Sequence, residues 1–193
     1  MDEIAVLGSG RGSLLPDLVK SGLPISLFVA DRKCHALDVA RALKIPNIVL
    51  LERTDFSKSF DSVAYTTRLV NLLKQYSIKL VVMAGFRTRL AALMFEPENF
   101  EHTLNTHPSL LPAFPGGNAV QDALDYGVKV TGCTVHVAIA KVDAGPIRAQ
   151  AVVWVREGDT AETLHDRIRE VEGPFLYPNA IWDYIQELGL NVL

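Results

Sequence analysis

The sequence has few cysteines, no long apolar run and no excess of one charge. Only two cysteines occur among 193 residues, Cys34 and Cys133, and they form no CxxC pair. Isolated cysteines of this kind are typical of reduced thiols, so we expect a cytoplasmic protein without a disulfide. The start MDEIAVLGSG lacks the basic residues and the uninterrupted apolar stretch of a signal peptide. The longest apolar runs, such as residues 80–86, are too short to span a bilayer.

The charge balance excludes further classes of protein. The 19 basic and 22 acidic residues are interspersed and give a net charge of −3. Without a basic stripe or a block of like charges, we expect neither nucleic acid nor a membrane as a partner. No pair of histidines has the spacing of metal ligands, so we expect no metal. The expected partners are small-molecule substrates, and we expect a monomer or a homodimer.

Apolar runs alternate with stretches of helical spacing through the first half of the chain. Buried strands are predicted at residues 4–7, 24–30, 48–51 and 80–84. Helices are predicted at residues 13–20, 34–43 and 63–76. Strands that alternate with helices form βαβ units, so this half predicts a parallel sheet. The last of the four strands is the most apolar and is expected at the centre of the sheet.

The pattern changes after residue 100. A short strand at residues 102–106 leads into HPSLLPAFPGG, a proline-rich loop that fits neither a helix nor a central strand. A helix is predicted at residues 120–126. Two alternating stretches, residues 128–139 and 147–155, flank the turn KVDAGP and predict an antiparallel hairpin.

The end of the chain carries one more helical pattern. Thr160 can cap a helix, which Gly173 and Pro174 should kink or break before a second helical piece at residues 179–188. Together the elements predict an α/β fold. It is a Rossmann-like open, mostly parallel sheet with helices on both faces and an antiparallel C-terminal hairpin.

A glycine-rich turn, GSGRGS at residues 8–13, follows the first predicted strand. Three alternating glycines let the backbone turn tightly, and Ser13 can then cap the next helix. The backbone N–H groups of Gly12, Ser13 and Leu14 would point out of the helix start. With the helix dipole they would bind an anion such as a phosphate monoester, and Arg11 would add positive charge.

Two other interpretations of this turn remain open at this point. It can be a strand-to-helix turn that binds nothing. It can also bind a dinucleotide, because Asp31 stands at the end of the second predicted strand, where a ribose-binding acid falls. The spacing departs from G-x-G-x-x-G, however, since Ser13 occupies the position of the third small residue.

Polar residues that suit acyl-type transfer cluster in the second half. Asn105, His107 and Ser109 follow a strand end in NTHPSLLP, and Asp143 lies in the turn VDAGP. Open α/β sheets bind ligands at the carboxyl ends of their strands. The amide can hold a carbonyl oxygen, the imidazolium can stabilise an oxyanion, and the carboxylate can orient the imidazole and favour its charged form. No serine or cysteine occupies a nucleophile elbow, so we expect direct attack by a substrate amine through a tetrahedral intermediate.

The five histidines differ in how strongly the sequence favours a functional role for each of them. His107 could also be a turn histidine bonded to backbone, and Asp143 a plain turn carboxylate. His136 alternates with valines on its predicted strand and can face the same site, although we favour a structural role. Three others, which we interpret as solvent-exposed or satisfied polar residues, are His35, His102 and His165.

At these residues the sequence resembles the folate-dependent formyltransferases. The matching segments, in order, are AGFRTRL, LNTHPSLLPAFPG, TGCTVHVAIAKVDAGPI and AQ. The pairing of N-x-H-P-S-L-L-P with V-D-x-G-P-I some thirty residues later is highly specific. The resemblance covers residues 4 to about 177, and GSGRGS is similar to the members that formylate glycinamide ribonucleotide.

The resemblance implies an activity and a domain organisation. A formyl group would pass from 10-formyltetrahydrofolate, as co-substrate, to the amine of 5′-phosphoribosylglycinamide (glycinamide ribonucleotide) in de novo purine (IMP) biosynthesis. Residues 1–193 would form a single formyltransferase domain. Residues 1–100 would be its phosphate- and nucleotide-binding half. Residues 101–193 would be its catalytic and folate-binding half, with the C-terminal helix.

The resemblance also implies site residues. Asn105, His107 and Asp143 would be catalytic, with Asp143 holding the histidine protonated and helping to move the proton. The substrate would be bound by Gly12, Ser13, Leu14 and Glu172. The folate would contact Arg87, Thr88, Arg89, Leu90, Asn105, Ala138, Ile139, Ala140, Lys141, Val142 and Asp143.

Other functions remain as alternatives. A non-catalytic or NAD-binding Rossmann-like module would use Gly10, Gly12 and Asp31 and would give no role to the polar cluster. Another formyl-folate enzyme is the second alternative. A methionyl-tRNA formyltransferase would add a basic C-terminal domain and a formyltetrahydrofolate hydrolase an N-terminal regulatory domain, and we expect neither here.

Overall fold

A computed structural model describes residues 2–192, and all seven strands of this part of the chain lie in one sheet. The strands are β1 Glu3–Gly8, β2 Ile25–Ala30, β3 Asn47–Leu50, β4 Ile78–Met83, β5 Thr103–His107, β6 Val130–Val137 and β7 Ile147–Trp154. Their order is β3-β2-β1-β4-β5-β6-β7, with β4 at the centre as predicted. The strands from β3 to β5 pair in parallel, whereas β6 pairs antiparallel with both β5 and β7. The predicted parallel sheet and the C-terminal hairpin are therefore confirmed.

Helices cover both faces of the sheet. They are α1 Leu15–Lys20, α2 His35–Ala42, α3 Ser62–Gln75, α4 Ala119–Tyr126, α5 Ala161–Val171 and α6 Tyr177–Leu188. Side chains alternate along a strand, so Ile4 and Val6 of β1 pack with α1, α2 and α6, whereas Ala5 and Leu7 pack with α3. Burial on both faces explains why this strand is apolar throughout.

The start of α1 differs from the sequence prediction. We expected Ser13 to cap the helix, but Leu14 holds the cap position without any side-chain hydrogen bond. Gly12 adopts a φ of +73°, and its carbonyl accepts the N–H of Leu15 at 3.1 Å, so the chain completes an extra turn before the helix begins. The cap prediction was wrong because the sequence does not reveal this turn. The side chain of Leu14 is buried in the core.

The C-terminal helices join without a break. Thr160 caps α5 through the N–H of Thr163, as predicted. The segment Glu172–Leu176 forms a π-helical turn that leads directly into α6, so the chain stays helical and the second piece starts at Tyr177 rather than at residue 179. A side chain at Gly173 would collide with the carboxylate of Asp17, so the wide turn packs closely against α1. No helix between residues 2 and 192 is long and apolar enough to cross a membrane.

Candidate active site

The polar cluster forms where β5 meets β6. Asn105 pairs with His136 across the two antiparallel strands, and His107 pairs with Thr134. Asn105 and His107 are two residues apart on β5, so their side chains lie on the same face of the sheet. Asp143 approaches them from the loop between β6 and β7, and its φ is +51°. The structure thus brings together the three predicted catalytic residues.

The imidazole of His107 is held at both nitrogens and is 6% exposed. Its Nε2 lies 2.8 Å from the carbonyl oxygen of Phe114. A carbonyl only accepts hydrogen bonds, so Nε2 carries a proton. Nδ1 lies 3.4 Å from Oδ2 of Asp143. Since Nε2 anchors the ring, Nδ1 is the nitrogen left to face the carboxylate and any reacting group.

The carboxylate of Asp143 is buried among donors and stays ionised. Burial raises its pKa, but the neighbouring imidazole of His136, the backbone N–H of Gly116 and the charge of His107 together lower the pKa below its ordinary value. The Gly116 N–H donates to Oδ2 at 2.7 Å, the oxygen that also faces His107. A fixed negative charge beside Nδ1 orients the ring and is placed to stabilise positive charge on it.

His136 is closer to the site than the sequence indicated. We favoured a structural role, yet its Nε2 lies 3.2 Å from Nδ2 of Asn105 and 3.6 Å from Oδ1 of Asp143. Its Nδ1 donates to the Val137 carbonyl at 3.1 Å, so in the neutral ring Nε2 accepts from the Asn105 amide. His136 therefore contacts two of the three predicted catalytic side chains. The antiparallel register that pairs it with Asn105 would have been the sequence indication.

Ser109 supports the loop rather than the reaction. Its hydroxyl donates to the carbonyl of Ala113 at 2.6 Å, and its own carbonyl accepts from Thr134 at 2.7 Å. These bonds shape the segment that delivers the Phe114 carbonyl to His107. Hydrogen bonds within the proline-rich loop and from Thr134 of β6 therefore fix its conformation.

A cavity of about 820 Å³ opens beside the glycine turn at the carboxyl ends of β1 and β4. All four residues predicted to bind the substrate line it, namely Gly12, Ser13, Leu14 and Glu172. Asn105, His107 and Asp143 do not line it, but Thr106 and Pro108, which alternate with them along the chain, do. The catalytic cluster thus adjoins the cavity through β5.

Four basic side chains line this cavity, and only Arg11 was predicted to do so. The set is Arg11, Arg87, His165 and Arg169. Arg11 was expected, whereas Arg87 was assigned to the folate and Arg169 was not singled out. His165 was interpreted as a solvent-exposed or satisfied polar residue, but it lines the cavity because α5 packs across from the turn. The i,i+4 spacing of His165 and Arg169 on a predicted helix would have revealed the pair.

Glu172 lies at the wall of the cavity and is 5% exposed. Its Oε1 accepts a 2.6 Å hydrogen bond from the hydroxyl of Thr106. Burial raises the pKa of this carboxyl, although the Thr106 hydrogen bond and the charge of Arg169 oppose the shift. Glu172 is thus a buried carboxyl at the wall of the cavity.

Apart from Asn105 of the polar cluster, the residues predicted to contact the folate fall into two segments. In the first, Arg89 is exposed and Leu90 is nearly buried. The hydroxyl of Thr88 donates to Asp31 at 2.6 Å, and its side chain is buried, so it is committed to the interior. In the second, residues 138–143, Ala138 is buried and the rest form an exposed loop that ends at Asp143. These segments flank the polar cluster in sequence and leave apolar side chains and backbone groups exposed.

Asp31 argues against the dinucleotide interpretation. It is fully buried, and its two oxygens accept hydrogen bonds from the guanidinium of Arg32 at 2.9 and 2.8 Å. Thr88 donates to the same carboxylate. A carboxylate occupied in this way is not free to bind the hydroxyls of a ribose.

The chain matches the family model described as Formyl transferase over residues 2–181. It is 42% identical to the phosphoribosylglycinamide formyltransferase of Mycobacterium tuberculosis over 174 residues, which cover 88% of this chain and 79% of that protein. The chain belongs to the formyl transferase family. Within this family it belongs with the phosphoribosylglycinamide formyltransferases.

Further relatives support this membership of the phosphoribosylglycinamide formyltransferases. The Bacillus subtilis (strain 168) enzyme is 33% identical over 198 residues, covering 99% of this chain and 97% of that protein. A crystal structure of glycinamide ribonucleotide transformylase 1 from Symbiobacterium toebii superposes with a TM-score of 0.85 at 36% identity. That superposition covers 97% of this chain and 89% of the other. The fold expected from the resemblance is thus that of a solved family member.

Proposed function

We propose that this protein transfers a formyl group from 10-formyltetrahydrofolate to the amine of 5′-phosphoribosylglycinamide, a step of purine biosynthesis. The observation that carries this proposal is the cluster of Asn105, His107 and Asp143 beside a cavity with four basic side chains. The names and lengths of the relatives described above support the same activity. A cationic cavity suits a phosphate, and the polar cluster suits the transfer of an acyl group.

In the proposed reaction the substrate amine attacks the formyl carbon directly. The folate supplies the formyl group. As the new C–N bond forms, the formyl oxygen gains negative charge, which the Asn105 amide and the Nδ1–H of His107 stabilise. The attacking amine loses a proton, which the unit of His107 and Asp143 would help to carry away. The bond between the formyl carbon and the folate nitrogen then breaks, and that nitrogen takes up a proton from the same unit.

His136 has a positioning role in this proposal. Because it accepts a hydrogen bond from Nδ2 of Asn105, it fixes the amide and leaves the second N–H free for the formyl oxygen. The same imidazole faces Oδ1 of Asp143. Two of the proposed catalytic side chains would lose their orientation together if this ring were removed.

The substrate is proposed to occupy the cavity beside the glycine turn. Backbone N–H groups of Gly12, Ser13 and Leu14 would hold the phosphate, with Arg11 and Arg169 contributing charge. Glu172 would accept from a hydroxyl or the amine of the same substrate. In this placement the amine would have to reach the cluster around the carboxyl end of β5, the strand on which Thr106 lines the cavity and binds Glu172.

The folate is proposed to bind against two segments that flank the cluster. Residues 87–90 would supply backbone groups and the exposed side chain of Arg89, while residues 138–143 would border the pterin. The exposed side chains of Ile139 and Val142, 39% and 51% accessible, offer the apolar surface that a flat ring requires. In this arrangement the glycine turn of residues 1–100 would hold the phosphate, and residues 101–193 would supply the catalytic groups together with further cavity side chains, so both parts would form a single domain.

The proposal is tested by a steady-state assay with both substrates and by ligand protection against unfolding. A ligand present at 100 times its dissociation constant should stabilise the protein by about 2.7 kcal/mol. Glycinamide ribonucleotide and a reduced folate should each give this protection, and NAD should give none. Protection by NAD alone, with no formylated product, would instead favour the dinucleotide-binding alternative.

A further inference from the structure

His165 and Arg169 present two basic groups one helical turn apart on α5. Both line the cavity that also contains Arg11 and Arg87, which come from the glycine turn and from the loop after β4. Three separate segments thus direct basic groups at one space. Of the four basic groups, only His165 changes its charge near neutral pH.

Acidic groups also face His165, but none neutralises the cavity. On its own helix, Glu162 and Asp166 line the same wall and are exposed to solvent. From the neighbouring π turn, Glu172 lines the cavity but is buried and bonded to Thr106. Arg11 and Arg87 are exposed as well, so water screens both signs of charge, and a phosphate in the cavity would still meet three guanidinium groups beside His165.

This environment disfavours the charged form of the His165 imidazole in the free protein. Partial burial lowers its pKa below the ordinary value of 6.5, and the charges of Arg169, Arg11 and Arg87 lower it further against the opposing charge of Asp166. A phosphate monoester carries nearly two negative charges at neutral pH. Placed among these groups, it would reverse the balance and favour the imidazolium.

We propose that His165 binds the substrate phosphate as an imidazolium and takes up a proton when the ribonucleotide binds. This inference rests on the proposed function, because it assumes that the cavity receives the phosphate of that substrate. It assigns a specificity role to a residue that neither the catalytic cluster nor the glycine turn requires. The affinity for the phosphate would then depend on pH in a defined direction.

The direction follows from linkage. If the pKa of His165 is higher in the complex than in the free protein, its contribution to affinity is complete below the free value. The contribution declines as the pH rises and is absent above the value in the complex. Ionisation of the phosphate itself strengthens binding as the pH rises through about 6. The wild type must therefore be compared with a His165 variant at each pH.

The test is titration calorimetry with glycinamide ribonucleotide, in two phosphate-free buffers of different ionisation enthalpy at pH 7.5. The wild type should take up more protons on binding than His165→Gln, which keeps a polar side chain without a titratable charge. Loss of a charged hydrogen bond should weaken binding by about tenfold at pH 6.5, and the difference should shrink at pH 8.5. His165→Lys, which stays charged, should bind well at both pH values.

Two controls make the outcome decisive. His102→Gln changes a histidine at the start of β5, at the opposite end of the strand from the site, and should bind like the wild type. Folate affinity should be unchanged in every variant and reports that the protein is folded. Equal proton uptake in wild type and His165→Gln, or an affinity loss that is the same at both pH values, would overturn the inference. A wild type that binds no ribonucleotide would instead overturn the proposed function.

Discussion

The Nδ1 atom of His107 lies 3.4 Å from Oδ2 of Asp143, and neither side chain is more than 7% exposed. This proximity leads to the first prediction, that the two residues act as one catalytic unit. Asp143→Asn keeps the shape but removes the charge that favours the imidazolium, so kcat should fall about a hundredfold or more. Substrate KM values should change much less, because the charge matters most when the oxyanion forms.

The double variant separates a unit from two independent groups. His107→Ala combined with Asp143→Asn should be little slower than the slower single variant, since residues of one catalytic unit are not additive. Asp125→Asn, at an exposed position on α4, is the matched control and should be near normal. Fully additive losses, or a near-normal Asp143→Asn enzyme, would return Asp143 to the role of a turn residue.

The second prediction concerns the geometry of the glycine turn. Gly12 has a φ of +73°, and a Cβ there would lie 2.7 Å from the Cα of Ala36. A side chain in this left-handed region costs about 1–2 kcal/mol before any collision is counted. We expect Gly12→Ala to lower the melting temperature by roughly 2–8 °C.

Gly10 is the matched control for this turn. A Cβ at Gly10 meets nothing within 4 Å, so Gly10→Ala should shift the free energy of unfolding by less than about 0.5 kcal/mol. Differential scanning calorimetry of both variants checks the pair. If the two alanines are equally tolerated, the close packing of the turn against α2 does not contribute to stability.

The third prediction is that the formyl group never becomes attached to the protein. Cys133 is buried, and burial raises the pKa of its thiol to about 12, so it is a poor nucleophile. The hydroxyl of Ser109 is bonded within its own loop. Incubation with the formyl donor alone should leave the intact mass unchanged. A mass increase of one formyl group that is lost when the amine substrate is added would contradict direct transfer.

Much of the fold could be predicted because the sequence patterns that indicate its strands and helices are local. The apolar run of β4 requires burial on both faces, and Thr160 caps α5 with the residue spacing that a cap needs. The start of α1 was missed, because a turn set by Gly12 depends on its packing against Ala36. The π turn was missed for the same reason, since it depends on contact between Gly173 and Asp17.

The site residues likewise divide into those that a short motif indicates and those whose surroundings depend on tertiary packing. Asn105, His107 and Asp143 stand in short motifs and were recognised from sequence. For His136 the sequence allowed a place at the site but favoured a structural role, and His165 was interpreted as a solvent-exposed or satisfied polar residue. Their surroundings depend on the strand register and on the packing of α5 across from the turn. Thr88 lies inside a recognised motif, but its hydroxyl turns inward to a partner 57 residues away. Short motifs were thus a good guide to the catalytic residues, whereas contacts between distant segments could not be predicted.

The last prediction follows from that inward contact and concerns acid stability. Hydrogen bonds from Arg32, Thr88 and Ser9 outweigh the effect of burial and lower the pKa of Asp31 below its ordinary value of 3.8. A carboxyl whose pKa is lower in the folded state contributes stability above its unfolded pKa, and this contribution is lost as the pH falls through the folded value. Asp31→Asn should therefore cost about 1–3 kcal/mol at pH 7 in urea unfolding, and the difference from wild type should shrink below pH 3.8.

Asp125→Asn, at an exposed position, should show neither effect. If the cost of Asp31→Asn stayed constant down to the lowest pH at which the protein folds, the ionised carboxylate would not be its source. A loss of ribonucleotide or NAD binding without a loss of stability would assign Asp31 to a ligand after all.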